Sequence, residues 1–179
     1  MNLLTLTLLG YVAGAVSGLL FLRAEKLASF FAFGCASLAA LGGVIYCASS
    51  LATDTAAASQ SFELFPSLIP YMRFTVRTDP LGCFFGLIVS LLGLALSFYS
   101  LGYVHGFYER KSVGVLGALY NLLLLATTLV PLAANAFFFL FVWEIMALSA
   151  FCLVSFEHEQ RETRNAGGLY FIALSEQIS

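Results

Sequence analysis

The 179-residue sequence is too apolar for a soluble domain, because 60% of its residues are hydrophobic and only 10% are charged, whereas about 25% are charged in a typical soluble protein. The net charge of −2, without a basic run or zinc-ligand spacing, excludes a nucleic-acid-binding module, so no nucleic acid partner is expected. Four cysteines lie in apolar stretches and form no CxxC pair, which favours small buried hydrophobic residues over ligands of zinc or iron–sulfur clusters. We therefore expect no cofactor and no metal site in this chain; the cysteines are Cys35, Cys47, Cys83 and Cys152.

Apolar segments separated by charged residues are long enough to cross a bilayer, which takes about 20 residues of helix. The stretch 112–156 has 45 residues, too many for one span, and Pro131 and Asn135 divide it because both residue types favour helix ends. The predicted fold is all-α: a polytopic membrane helix bundle that forms a single membrane domain over residues 1–179. Its five predicted spans are residues 1–22, 27–53, 81–108, 112–131 and 136–156.

The first span is predicted to be a retained membrane helix and not a cleaved signal peptide. It has no charged region before it, it is longer than the usual apolar core of a signal, and its first basic residues follow it.

A sixth apolar segment, residues 166–179, would make about 21 Å of helix, too short to cross the membrane. It also contains Glu176. We expect the sequence to be truncated inside a sixth span; the alternative is a short helix at the membrane surface.

The loop at residues 54–79 alternates apolar and polar residues in part, on either side of Pro66 and Pro70. This pattern predicts two short strands, which could pair as an extracytoplasmic β-hairpin.

The distribution of basic residues predicts that the N-terminus lies outside the cytoplasmic (inner) membrane. With that orientation six basic residues fall in inner loops and two in outer loops, as the positive-inside rule requires. The six are Arg23, Lys26, Arg110, Lys111, Arg161 and Arg164, and the two are Arg73 and Arg77.

Glycines recur at the four-residue spacing that allows membrane helices to approach closely. They are Gly10, Gly14 and Gly18 in the first span, and the pairs Gly82 with Gly86 and Gly102 with Gly106 in the third. The spacing fits a dimer interface, but ordinary packing inside one bundle is the favoured interpretation.

Glu144 is the candidate site residue, because it is the one acidic residue inside the fifth span. It lies about 12 Å from the start of that span, close to mid-membrane. Placing an acid there costs about 2.5 kcal/mol or more, which makes proton transfer the leading hypothesis for its role. A hydrogen-bonded structural glutamate is the alternative.

No lysine or arginine lies inside the five predicted spans, so a cationic partner for Glu144 would have to come from elsewhere. Asn121, Thr127 and Thr128 in the fourth span fall near its depth and could hold water beside it. Bonding to their own or a neighbouring helix is at least as favoured for them. His105 and His158, near inner helix ends, could pass protons at the surface, although interfacial histidines are commoner.

Four stretches carry a family resemblance: RTDPL at 77–81, SFYSLGYV at 97–104, NAFFFLFVWEIMALS at 135–149 and NAGGLYF at 165–171. They resemble the third, fifth and sixth helices of antiporter-like membrane subunits. Such subunits occur in the membrane arm of respiratory complex I, in Mrp-type cation/proton antiporters and in membrane-bound hydrogenases. The EIMALS sequence at 144–149 is most similar to the branch of hydrogenase-4 component B and formate hydrogenlyase.

The resemblance implies a role for Glu144, which matches the proton-handling glutamate of the family's fifth helix. In that family the glutamate pairs with a lysine on helix seven, and about fourteen helices contain two inverted five-helix repeats that form half-channels. The present sequence matches only the N-terminal part. Partners implied by the resemblance are the lipid bilayer and the other membrane and peripheral subunits of a hydrogenase or complex-I-like assembly.

Two functions from different classes follow. The first is a proton-translocating membrane subunit of such an assembly, with the electron chemistry in partner subunits and no catalytic centre of its own. The second is a non-transporting membrane scaffold in which Glu144 is structural.

Overall fold

A computed structural model describes residues 3–22, 24–53, 60–63, 74–104 and 112–156. Its helices are α1 (Leu3–Leu20), α2 (Glu25–Ala52), α3 (Pro80–Tyr103), α4 (Val113–Leu129), which is continued by a 3₁₀ turn (Val130–Leu132), and α5 (Ala136–Phe156). All five are long and apolar enough to cross a membrane. The predicted polytopic helix bundle is thereby confirmed. The predicted segment 166–179 lies outside the described residues.

The predicted hairpin is present in the loop between α2 and α3. Strand β1 (Gln60–Glu63) pairs antiparallel with β2 (Thr75–Thr78). Strand β2 also contacts the connection between α4 and α5: Val76 pairs with Ala133, and the Ala134 N–H donates to the Thr75 carbonyl at 3.0 Å. The hairpin is therefore attached to the start of α5.

Two helices begin at side chains that cap their first turn. The Asp79 carboxylate accepts a hydrogen bond from the Gly82 N–H at 2.7 Å, and Pro80 occupies the first helical position of α3. The Asn135 side chain accepts one from the Phe138 N–H at 2.8 Å at the start of α5. Both caps satisfy amide groups that a helix N-terminus leaves without intrahelical partners.

Successive helices run in opposite directions through the bundle. One end of the bundle therefore contains the start of α1, the end of α2, the start of α3, the end of α4 and the start of α5. A buried cluster there joins α1, α4, the 3₁₀ turn and α5 to β2; it consists of Leu4, Leu8, Val76, Ala126, Leu129, Leu132, Phe138 and Val142. We call this the hairpin end. At the opposite end Phe33 of α2, Val104 after α3 and Val113 of α4 form a second cluster.

The glycines of α1 are used for packing inside the chain. A Cβ atom added at Gly10 would lie 2.9 Å from the Ala39 Cβ of α2, and one added at Gly18 would lie 2.6 Å from the Gly114 carbonyl oxygen of α4. Both approaches are closer than a side chain allows. The interpretation of this spacing as intrabundle packing is confirmed for α1.

The glycines of α3 divide between packed and open positions. A Cβ at Gly82 would lie 2.9 Å from the Pro131 carbonyl oxygen, and one at Gly86 would lie 3.1 Å from the Cys47 sulfur. At Gly102 an added Cβ would meet no atom within 4 Å. Gly106 lies outside the described residues.

Candidate functional site

Glu144 lies in the first half of α5, which begins at Ala136 directly after the Asn135 cap. Eight residues separate Ala136 from Glu144, and this corresponds to about 12 Å along a helix that is about 31 Å long. The carboxyl group is therefore placed near the middle of the apolar span, as the sequence predicts.

The Glu144 side chain is exposed on the outer face of α5. The face of α5 that packs against α4 contains buried Phe138, Val142 and Ser149. Leu140 and Leu148, one turn on either side of Glu144, are 64% and 45% exposed. Residues four apart share a helix face, so Glu144 and these two leucines form one outward stripe.

Helix α5 is the least covered of the five helices. Only 22% of its apolar window is buried, compared with 50% for α4. It packs mainly on α4 and on the 3₁₀ turn, and at its start Phe74 makes edge-to-face contacts with Phe138 and Phe141 at ring-centroid distances of 5.6 and 5.7 Å. No other helix among the described residues covers the rest of its surface, which includes Glu144.

The polar side chains of α4 do not surround Glu144. Thr127 and Thr128 each donate a hydrogen bond back to α4, to the Leu123 and Leu124 carbonyls, both at 2.7 Å. The predicted alternative of bonding within the helix is therefore the one observed for the two threonines.

Asn121 is fully buried and joins α4 to α2. Its amide nitrogen donates to the Ala32 carbonyl of α2 at 3.0 Å and to the Gly117 carbonyl of α4 at 2.9 Å. Its oxygen faces Gly14 of α1, where an added Cβ would overlap it. Asn121 is thus a packing residue between three helices, on the side of α4 away from the outer face of α5.

In the described part of the chain, Glu144 makes no hydrogen bond and no ion pair. Its neighbour Trp143 is also exposed and packs on Phe139 at a centroid distance of 5.6 Å. His105 and His158, for which an interfacial position was favoured over proton transfer, lie outside the described residues.

The structure also contains buried polar groups that the sequence reasoning did not single out. Ser97 of α3 hydrogen-bonds Tyr120 of α4 at 3.0 Å, and the Tyr120 hydroxyl lies 3.1 Å from the Gly93 carbonyl, to which it donates. Two further hydroxyl groups, on Tyr11 and Ser90, are also buried, and the side chain of Tyr11 lies close to that of Thr128. The only signal for them in sequence is a hydroxyl inside an apolar span, and this signal does not show which residues meet.

An ionisable group on the outward face at this depth has few chemical options. A lone carboxylate in contact with lipid is costly, and a neighbouring helix that offers a cation or hydrogen bonds would stabilise it. The outward face of α5 around Glu144 therefore suits contact with an adjacent membrane helix.

Comparison with known proteins reveals three informative relatives. Over 174 residues, 96% of this chain, the sequence is 32% identical to hydrogenase-4 component B of Escherichia coli K12. It is 33% identical over 106 residues to an uncharacterised protein of Mycobacterium tuberculosis H37Rv. It is also 33% identical over 102 residues to a candidate antiporter subunit, mnhA2, of Staphylococcus haemolyticus. No family model matches the chain.

These matches cover only part of each relative. The chain spans 25% of hydrogenase-4 component B, 16% of the mycobacterial protein and 12% of the antiporter subunit. In the other direction, the matches to the latter two cover 59% and 54% of this chain.

Proposed function

The chain belongs to the antiporter-like family of membrane subunits, and on that premise we propose that it forms part of a proton-translocating subunit of a membrane-bound hydrogenase or complex-I-like assembly. Glu144 takes up and releases the proton in mid-membrane. The oxidation and reduction steps take place in partner subunits.

The observation that carries this proposal is the position of Glu144 on the open face of α5. Placing an acidic residue near mid-membrane costs free energy. No described residue stabilises Glu144 by a hydrogen bond or an ion pair. Such a residue fits a contact with a further membrane helix better than it fits a structural role inside these five helices. The partner that covers it supplies the changing charge to which its protonation responds.

For the orientation we propose that the hairpin end faces outward from the cytoplasmic membrane, together with the N-terminus. A reporter that is active only in the cytoplasm is expected to be active when fused after Lys111 and inactive when fused after Gln60. The physical reason is the excess of basic residues in the loops at the other end. Activity after Gln60 without activity after Lys111 would reverse the proposed orientation.

The proton-carrying role is tested by replacing Glu144 with glutamine in the assembled complex. Glutamine keeps the shape and hydrogen bonding of the side chain but cannot ionise. A positioned proton-transfer group contributes about 100-fold or more to the rate of a step, so we expect assembly to persist while proton translocation per redox turnover falls to background. Acidification and hydrogen or quinone turnover are measured on the same membranes.

Two further variants separate ionisation from packing. Glu144→Asp, which still ionises on a shorter side chain, is expected to retain part of the translocation. Leu140→Ala, which removes an exposed side chain one turn away without changing charge, is expected to leave it unchanged. Unchanged pumping in an assembled Glu144→Gln complex would contradict the proton-carrying role and would favour the scaffold function instead.

A further inference from the structure

Two cysteines that are 36 positions apart in sequence meet at the hairpin end. Cys47, near the end of α2, is 3% exposed, and Cys83, in the first turn of α3, is fully buried; the two are in direct contact. Tyr46, Leu51 and Leu87 pack around the pair. Both thiols are free.

The interface between α2 and α3 is close enough for a covalent link. A Cβ built on Gly43 of α2 would lie 3.2 Å from the Ser90 Cβ of α3, and disulfides have Cβ separations of about 3.5–4.5 Å. One turn further along α2, the Cys47 sulfur would lie 3.1 Å from a Cβ built on Gly86. Cys83 is the next residue on that face of α3 toward its start, and its side chain contacts that of Cys47.

The pair also lies near the membrane boundary and not at mid-membrane. Cys47 is about 7.5 Å from the end of α2, and Cys83 is about 4.5 Å from the start of α3. The half-buried Ser50 side chain is within hydrogen-bonding range of the Cys83 thiol, and the charged Asp79 lies close to it. A small polar reagent at the membrane surface therefore reaches this pair after local opening of one helix turn.

We propose that Cys47 and Cys83 are a thiol pair that forms a reversible disulfide between α2 and α3, with an organic disulfide as the oxidant. The Cys83 thiolate attacks one sulfur of that disulfide, which forms a mixed disulfide and releases the first thiolate. The Cys47 thiolate then attacks the Cys83 sulfur, closes the protein disulfide and releases the second thiolate. Two protein thiols are oxidised, one organic disulfide is reduced to two thiols, and these take up the two protons.

The link fixes the two helices that flank the hairpin. In the reduced state no covalent bond joins Cys47 of α2 to Cys83 of α3, whereas in the oxidised state residues 47–83 form a closed loop that contains both strands. The crosslink thereby stabilises the end of the bundle to which the start of α5 is attached.

The test uses the full chain in membranes, with Cys35 and Cys152 replaced by serine so that only the proposed pair remains. Membranes are equilibrated in mixtures of reduced and oxidised glutathione, quenched in acid, dissolved in denaturing detergent and labelled with a polyethylene-glycol maleimide. We expect the doubly labelled chain to convert directly to the unlabelled chain. The folded chain should reach its midpoint at about one-tenth, or less, of the oxidant concentration that the same chain needs when it is denatured before equilibration.

A second arm of the experiment controls for slow access of glutathione to the buried thiols. In this arm the chain is synthesised and inserted into membranes in the same glutathione mixtures. An unlabelled, monomeric chain on a non-reducing gel supports the intramolecular bond. Equal midpoints for the folded and denatured chains, or a persistent singly labelled chain in both arms, would overturn the proposal.

Matched variants identify the bond. With Cys47→Ser or Cys83→Ser in the same background, one thiol remains and no intramolecular disulfide can form. The reciprocal chain keeps only Cys35 of α2 and Cys152 of α5. It is expected to remain doubly labelled in the glutathione mixture that oxidises half of the chain with Cys47 and Cys83. An identical oxidation midpoint in this reciprocal chain would show that helix position does not determine the reaction.

Discussion

Replacing Gly14 with leucine is expected to prevent α1 from packing on α4 and to leave little folded protein. A Cβ at this position would overlap the Asn121 side-chain oxygen and would lie 2.6 Å from its Cγ. Asn121 cannot move aside without giving up its bonds to Ala32 and Gly117. Overpacking costs about 1–3 kcal/mol, and leaving a buried amide unsatisfied costs about 1–3 kcal/mol more. Together these costs are a large part of the total stability of a typical domain, about 5–15 kcal/mol.

The measurement is the yield of monodisperse chain in mild detergent together with its thermal unfolding midpoint. Gly34→Leu and Gly102→Leu are the matched controls, because a Cβ at either position meets no atom within 4 Å. Both control variants should resemble the wild-type chain. If Gly14→Leu unfolds at the same temperature as these two, the close contact between α1 and α4 is not a feature of the folded state.

Replacing Glu144 with leucine is expected to stabilise the isolated 179-residue chain, although it should inactivate the assembled complex. The side chain is exposed on α5, and no described residue pairs with it, so in a bilayer the wild-type chain bears the cost of an acid at mid-membrane. Exchanging an acidic residue for leucine at a helix centre favours insertion by about 3 kcal/mol. We expect a larger inserted fraction of α5 when it is tested in a host membrane protein. We also expect a higher unfolding midpoint for the whole chain.

Met146→Leu, which exchanges one apolar side chain of α5 for another, is the control and should shift neither quantity. A Glu144→Leu chain that is less stable than wild type would mean that Glu144 has a stabilising partner within these 179 residues. That result would contradict the exposure of Glu144 on α5 in the isolated chain.

The helix positions were predictable because each depends on local chemistry. Charges, Pro131 and the Asn135 cap mark the ends of apolar segments, and a segment of that length has one stable form in lipid. In the third span α3 is described as far as Tyr103, and the predicted residues 105–108 lie outside the described part of the chain. The hairpin was predictable from its alternation, but its contact with Ala133 was not, since this contact depends on how α4 and α5 pack.

The orientation of Glu144 could not be predicted, because α5 is apolar on all sides. A helix without a polar face gives no periodicity that would distinguish its inner side from its outer side. Rotation about the helix axis is then determined by packing, here by Phe138 and Val142 against the hairpin-end cluster. The meeting of Cys47 with Cys83 was missed for a related reason, because it requires the register of α2 against α3, which neither sequence segment specifies alone.

The position of α5 after the other four helices bears on the order in which contacts can form during synthesis on the ribosome. Helices α1, α2, α3 and α4 pack extensively on one another, and all four precede α5 in the chain, so their mutual contacts are available before α5 has been translated. The docking position for the start of α5 is also made in advance, because Phe74 and Val76 precede α3. Helix α5 can thus pack on a surface that the preceding elements have already formed. The side of α5 that contains Glu144 is the side that this surface leaves uncovered.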